Sequence, residues 1–407
     1  MRILAIANVV PLRDRSAGWF RFYHMLRILG REHEVHLHPL DLEWQLQYYG
    51  EEDTKHYTRE LEDIGVRVTK GKWGDLRNLI RSQPLDLAFF EHYGSMRDIV
   101  DHIRFWQPQA RVVMDTIDVA YQRFHAKAKL TANQEDLRLA QKVKTAELSA
   151  YAMSDLVIAI SRVEAALLKQ ANPGLRIDVI PLIFATQPLQ KKRRERRRDL
   201  VYVAHFDHDA NVDGILLFCA QVLPLIQKQL PDVRLRIVGH SPPSEVKALS
   251  GPNVEVLGFV PDIGEIYRSS DVAIAPMRFG GGLKGKIAEA MSFGLPVVTN
   301  STCLEGFDLS PGVNVLAGDD PNAFADAVVS LLCDEALYLK VSENGWRFVK
   351  SNFSEEVVAA KLKDLIERRH EYLPKRLALG KRVAWNTRFI MERRLLWRFR
   401  ASGLDSR

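Results

Sequence analysis

Cysteine is scarce in this chain. Only Cys219, Cys303 and Cys333 occur in 407 residues, and no two share a metal-binding or redox spacing. That excludes a disulfide framework and fits a reducing compartment, with all three as core packing. Long apolar runs are also missing: none reaches the roughly 18 residues that span a bilayer. Met1–Pro11 is faintly like a signal peptide, but it is short, has no clear small-residue cleavage site and meets Arg13 and Arg15. A buried first strand is the better reading. No His, Asp or Glu cluster has ligand spacing. His205 and His208 read as turn residues, so no metal or other cofactor is expected.

Net positive charge is confined to two stretches. The net charge is +6, yet residues 191–198, KKRRERRR, hold seven cations and one anion, and residues 371–407 hold ten and three. The remainder is therefore net acidic. No aromatics interleave with the basic run, which argues against nucleic acid and for a solvated linker.

What the chain does have is a hydrophobic content of 46% and a charged content of 27%, typical of a globular protein. Its length implies two domains. Apolar strands alternate with helical stretches: Ile3–Val10, Glu34–His38, a strand after Pro84, Arg111–Met114 and Leu156–Ile160, with a long helix over Asn133–Met153. The pattern restarts at Leu200–Ala204 and continues through Arg234–Val238, Val254–Gly258 and Val313–Leu316. Continuous apolar strands between helices predict α/β architecture with parallel sheets covered on both faces.

The most informative stretch is Asp271–Asn300. A buried strand, Val272–Ala275, leads to Gly280, Gly281 and Gly282. A helix follows from Lys284 to Phe293, stopped by Gly294 and Pro296, and then a second buried strand starts at Val297. The loop-to-helix junction offers unpaired N–H groups and a positive dipole end, a ready phosphate site. Lys284 and Lys286 place cations where a helix alone would favour acids. Glu289 can accept hydrogen bonds from a ribose diol, or it can simply pair with Lys286 three residues earlier.

Pro276–Val298, with Glu289-Ala290-Met291 and Gly294-Leu295-Pro296-Val297-Val298, resembles the donor-site segment of retaining GT-B glycosyltransferases of family 4. The resemblance extends more weakly from Met1 to about Phe353. It implies the GT-B fold: two Rossmann-like doubly wound domains facing a central cleft, with C-terminal helices. The expected boundaries are 1–185, a basic linker at 186–198, a nucleotide-sugar domain at 199–355 and C-terminal helices at 356–407. By this resemblance Glu289 binds the nucleotide ribose. The family's first Glu falls on Gly281 and is absent, so the amides of Gly281, Gly282 and Leu283 take over the contact to the sugar. In the same family Gly18 faces the donor across the cleft and His92 touches the donor sugar. No Lys or Arg occurs in the turn His205–Asn211, where many relatives carry the diphosphate cation. That role moves to Lys284, Lys286 or Arg278.

Other residues carry two readings each. Asp115, or Asp118, positions the acceptor hydroxyl or takes its proton, or caps a helix. Asn211 hydrogen-bonds in the site or caps a helix. Gly239 flanks the base, and Glu305 lines the cleft. The expected activity is transfer of a sugar from a nucleoside-diphosphate donor to a glycan or lipid-linked acceptor, for surface polysaccharide synthesis. No metal is required, because fixed cations and a helix end serve the diphosphate. The expected location is cytoplasmic, peripheral on the inner membrane face if the tail binds lipid. In that tail Trp385, Phe389, Trp397 and Phe399 interleave with Arg382, Arg388, Arg393, Arg394 and Arg398. This is the composition of an interfacial helix on anionic lipid, or of a closing helix packed on the domains. Two other classes stay open. Gly280-x-Gly282-x-x-Gly285 with Glu305 matches an NAD(P) oxidoreductase fingerprint, and the loss of a carboxylate at Gly281 would suit a non-catalytic nucleotide-sugar binder.

Overall fold

The computed structural model describes residues 1–131, 133–189, 198–279, 283–385 and 387. Among them two sheets form, in which every strand pairing is parallel. The first contains β1 (Arg2–Ala7), β2 (Glu34–Pro39), β3 (Val66–Val68), β4 (Leu87–Phe90), β5 (Arg111–Asp115), β6 (Leu156–Ala159) and β7 (Ile177–Val179). The second contains β8 (Asp199–Val203), β9 (Arg234–Val238), β10 (Val254–Gly258), β11 (Val272–Ala275), β12 (Val297–Thr299) and β13 (Leu316–Ala317). The orders are β3-β2-β1-β4-β5-β6-β7 and β10-β9-β8-β11-β12-β13.

The strand sequences explain this. Ile3 to Ala7 and Val272 to Ala275 are buried at every position, as a parallel sheet covered by helices on both faces requires. Each strand order reverses direction once, between β1 and β4 and between β8 and β11. Doubly wound sheets open a ligand crevice there, beyond the carboxyl ends of the strands. The expected strand Val313–Leu316 begins only at Leu316. Gly312 takes a positive φ of 81°, and its N–H donates to Val315 O, closing a turn instead.

Each sheet has a core on either face. One core of the second domain also takes in Ile160, Leu182 and Phe184 from the first, so the domains share packed apolar surface. The helix Glu355–Glu367 crosses back: Val358, Leu362 and Leu365 join the first domain's core, and Glu355 pairs with Arg27, Arg31 and His24.

The tail continues the crossing. Lys381 pairs with Asp101 at 2.7 Å, and the Trp385 ring stacks 5.9 Å from Phe105. Trp385 therefore takes the closing-helix reading rather than the lipid one. Arg382, Leu379 and Val383 remain exposed. Phe389, Trp397, Phe399 and the arginines from Arg388 onward lie outside the described residues, as do residues 191–197. By length and composition alone one helical stretch, Asp209–Gln229, would suffice to cross a membrane, contrary to the expectation that no run would. Its Ile215, Phe218, Val222 and Ile226 pack into the second domain's core.

Candidate functional site

At the reversal in the second sheet, β11 ends at Ala275 and a helix starts at Gly285. The intervening distance does not suit the dinucleotide fingerprint, whose first glycine turns directly off the strand. Gly280, Gly281 and Gly282 lie outside the described residues. Lys284 stands at the N-cap of Gly285–Ser292 and makes no side-chain cap bond. A lysine cannot accept from N–H, so the helix end keeps its positive field. Lys284 is buried. Burial lowers its pKa, opposed by Cys303, Glu305, Glu164 and Asp118. Glu164 and Asp118 belong to the first domain, so this lysine senses both sides of the cleft.

Lys286, two residues on, is half-buried. Its Nζ donates to Asn211 Oδ1 at 2.7 Å and lies 4.5 Å from the Tyr202 ring centroid. Burial is the main cause that brings its pKa down to about 7. Glu289 accepts from Tyr267 Oη at 2.8 Å. Burial raises its pKa, while Tyr267 and Lys286 counter that shift.

The facing turn after β8 holds Lys286 in place. Asn211 is buried, and its Nδ2 donates to His205 O at 2.7 Å. That leaves its Oδ1 for Lys286. Asn211 lies inside the helix Asp209–Leu217, where His208 holds the N-cap position, so the capping reading fails. Imidazoles stand in the turn that lacks Lys or Arg: His205 stacks on His240 at 5.6 Å between centroids, with His208 at 5.8 Å. Burial lowers the pKa of His205 and His208. Gly239 has φ +152°, and a Cβ there would stand 1.6 Å from Ala204 O. Only glycine lets β8 and β9 meet this closely at their ends.

The first domain presents its own reversal. Gly18 lies in the first turn of the helix Ala17–Gly30, where a Cβ would come within 2.8 Å of Ile117 Cγ2. Ile117 itself adopts φ +57°, a strained conformation for a β-branched residue. Asp118 follows directly on this bend. Asp115 is fully buried against Arg21, itself fully buried. That corrects its expected role: it anchors a helix and is closed to an acceptor. Asp118 is half-buried and pairs with Arg123 at 2.8 Å. His92 is half-buried, and its Nδ1 accepts from Gly94 N at 3.1 Å.

The sequence reading passed over two carboxylates here. Glu91 directly follows β4, and Glu164 lies in the first turn of the helix Arg162–Ala171 after β6. Both are buried, and desolvation is the main cause that raises each to about 8. For Glu91 the available signal was an acid directly after an all-apolar buried strand; for Glu164 it was the Ser161-x-x-Glu164 capping box, in which Ser161 Oγ accepts from Glu164 N and Glu164 accepts from Ile160 N.

Contacts across the cleft join the two faces. A Cβ on Gly285 would be 3.0 Å from Ala17 Cβ. Lys127 pairs with Asp209. The Arg15 guanidinium lies 4.3 Å from the Phe259 centroid. A Cβ on Gly306 would lie 3.2 Å from Leu283 Cδ2 and 3.6 Å from Ser161 Oγ of the first domain, which places Leu283 at this boundary.

Two expected residues lie at the surface. Arg278 is exposed and held by both carboxylate oxygens of Asp213, so its charge is already engaged. Glu305 is exposed. Among the described residues no group of three or more His, Cys, Asp or Glu is placed to hold a metal. A cavity of about 190 Å³ is lined by Tyr267, Phe293 and Tyr338 and by neither Lys284 nor Lys286.

Residues 197–334 match the family described as Glycosyl transferases group 1. The chain is 31% identical to the phosphatidyl-myo-inositol mannosyltransferase of Mycobacterium leprae, over 42% of this chain and 46% of that protein. It is 22% identical to an uncharacterized 44.6 kDa protein in a cps region of Klebsiella pneumoniae, over 39% of this chain and 44% of that protein. The chain thus spans less than half the length of these curated relatives. Its fold is similar to that of Anabaena HepE, solved with UDP and glucose, at 16% identity and a TM-score of 0.62. That match covers 90% of this chain and 99% of the other. The fold is GT-B.

Proposed function

We propose that this chain, a GT-B fold carrying a glycosyl transferases group 1 segment, moves a sugar with retention from a nucleoside-diphosphate donor to a glycan or lipid-linked acceptor. A surface polysaccharide is the product we favour. One observation carries the reading: Lys284, Lys286 and Glu289 lie along one short helix and its N-cap at the second sheet's reversal, and the start of that helix abuts the first domain's helix start at Ala17.

In this reading Glu289 holds the ribose, and Lys284 and Lys286 hold the diphosphate. His92, Asp118 and Gly18 face the sugar from the first domain. The bond between the sugar's anomeric carbon and the phosphate oxygen breaks. A bond from that carbon to the acceptor oxygen forms on the same face, and the acceptor's proton passes to the departing phosphate. Negative charge builds on the diphosphate, so fixed cations and helix amides aimed there contribute most. The similarity to a mannosyltransferase and to a structure solved with UDP supports a nucleotide-linked donor. A cytoplasmic location, peripheral on an anionic membrane through the basic tail, belongs to the same proposal. Co-sedimentation with anionic liposomes tests it: equal partitioning of the full chain and a chain ending near Glu371 removes the membrane part.

The central test mixes the protein with UDP-, GDP- and dTDP-sugars and measures binding by calorimetry. Binding of one, lost in Glu289→Ala, is the expected result. If none binds, or Glu289→Ala binds as well as the parent, the reading is wrong. Binding without turnover across many acceptors would instead favour a non-catalytic binder, as the glycine at 281 allows.

A further inference from the structure

The helix Leu42–Tyr49 leaves a large aromatic surface open. Trp44 is 44% and Tyr48 52% exposed. They lie one turn apart, on one face. Their rings stack with centroids 5.0 Å apart and planes only 12° apart. Tyr49 stands edge-on to both, at 5.9 and 4.8 Å, and Trp19 extends the group at 6.1 Å from Tyr49. Each such ring can bury about 150–250 Å², so the half-exposed stack presents its outer ring surfaces, unused and held in a fixed orientation.

This surface is tied to the cleft. Gln45, beside this face on the same helix, is fully buried. Its side chain bonds both the N–H and the C=O of Val10, at 2.8 and 3.0 Å. The helix is thereby bolted to the loop between β1 and the Ala17–Gly30 helix. Arg15 of that loop lies 5.9 Å from the Tyr49 centroid and 4.3 Å from that of Phe259 in the second domain. The Tyr49 phenol also feels Asp207, beyond β8. The aromatic face therefore ends at the mouth of the cleft.

Charge selects the occupant. Asp41, Glu43, Glu51, Glu52 and Asp53 surround the helix and its C-terminal junction. Lys55 and Arg15, the nearby cations there, are paired with Glu51 and Asp53. At the other end Lys70 and Lys72 flank Gly71, which packs near Leu42. An anionic bilayer or a phosphorylated chain would meet mostly acids. An uncharged pyranose would meet flat π-faces suited to its C–H face, with acids at the rim to accept from its hydroxyls.

We infer that the Trp44–Tyr48 face is a platform for uncharged sugar rings of the acceptor, feeding them to the cleft. The acceptor assignment rests on the transferase reading; the sugar-binding face itself does not.

The test uses the full chain, Trp44→Ala/Tyr48→Ala and Trp44→Phe/Tyr48→Phe, with melting curves to verify folding. Saturation-transfer NMR is recorded with maltotriose, cellotriose, mannotriose and xylotriose as probes, and UDP binding is measured in parallel. At least one trisaccharide should bind the parent. The alanine pair should weaken it by about tenfold or more, and the phenylalanine pair by about threefold or less, with UDP affinity unchanged. The platform is overturned if no trisaccharide binds, if binding survives the alanine pair, or if that pair instead abolishes vesicle binding or self-association. Should UDP fail to bind the parent while a trisaccharide binds through Trp44, the nucleotide-sugar reading falls and the platform stands.

Discussion

Gly285 meets Ala17 across the domain boundary, with 3.0 Å between Ala17 Cβ and the place a Cβ would take on Gly285. Two helix starts, Gly285–Ser292 and Ala17–Gly30, converge at that point. Both are positive ends, and Lys284 and Lys286 add to them. Such convergence is unfavourable until an anion is shared between the two sides. Gly285→Val should wedge the boundary open. We expect UDP affinity to fall by about tenfold or more, since small displacements of binding groups cost this much. Gly285→Ala should show a smaller loss. Calorimetry with both variants checks this, and parent-like UDP affinity in the valine variant would show that the boundary does not shape the site.

Lys286 makes the second prediction, in stability. Burial, with repulsion from Lys284, lowers its pKa from 10.5 to about 7. Between those values the unfolded chain holds a proton that the folded chain has released. Stability attributable to this group therefore rises with pH from about 7 to about 10.5, and below about 7 the charged lysine carries its full penalty. Lys286→Met should abolish that slope. It should also be more stable at pH 7, by on the order of 1 kcal/mol, while binding UDP poorly. Urea melts across the pH range read the slope. A parent and variant with parallel pH profiles would contradict it.

Asp115 and Asp118 should separate cleanly. Asp115 shares a fully buried ion pair with Arg21, whose Nε and Nη2 also donate to the carbonyls of Pro181 and Ile180. Asp115→Ala leaves a buried guanidinium uncompensated and should cost about 3–5 kcal/mol in urea melts. Asp118 is half-buried beside Arg123, so Asp118→Asn should change stability little. It should lower kcat for sugar transfer while leaving UDP affinity near parental. Equal destabilisation by both would return Asp118 to a structural role.

The architecture was legible because its signals are local. Apolar strands such as Ile3–Ala7 and Val272–Ala275, each followed by helical spacing, suffice to specify parallel sheets. So does the junction at Lys284, whose cations break the usual preference of a helix start. What was not legible depends on distant partners. Nothing near Asp115 in sequence reveals Arg21. Nor does anything there reveal the strained Ile117 backbone between Asp115 and Asp118, which packs closely on Gly18. The helix Leu42–Tyr49 is short and weakly periodic and the helix Glu51–Asp63 mostly polar; they are held by Gln45 on Val10 and by Tyr57 on Asp14. Nor does the sequence reveal that Gly239 is constrained by the Ala204 carbonyl, whatever it flanks.

Glu289 carries the last prediction. Its carboxylate already accepts from Tyr267 Oη at 2.8 Å, and burial raises its pKa. A ribose diol would supply two further donors and stabilise the ionised form. Glu289→Gln keeps the shape and one acceptor oxygen but loses the charge. Hydrogen bonds to an ionised acceptor contribute about 1.5–3 kcal/mol, so the parent's nucleoside affinity should exceed the glutamine variant's by roughly 10- to 100-fold. The ribose is the discriminating partner. Inorganic pyrophosphate, which lacks it, should bind both proteins alike through Lys284 and Lys286. Competition assays with UDP and with pyrophosphate separate the two contributions, and a variant weakened equally toward both would mean that Glu289 acts by positioning Lys286 rather than by holding the sugar of the nucleoside.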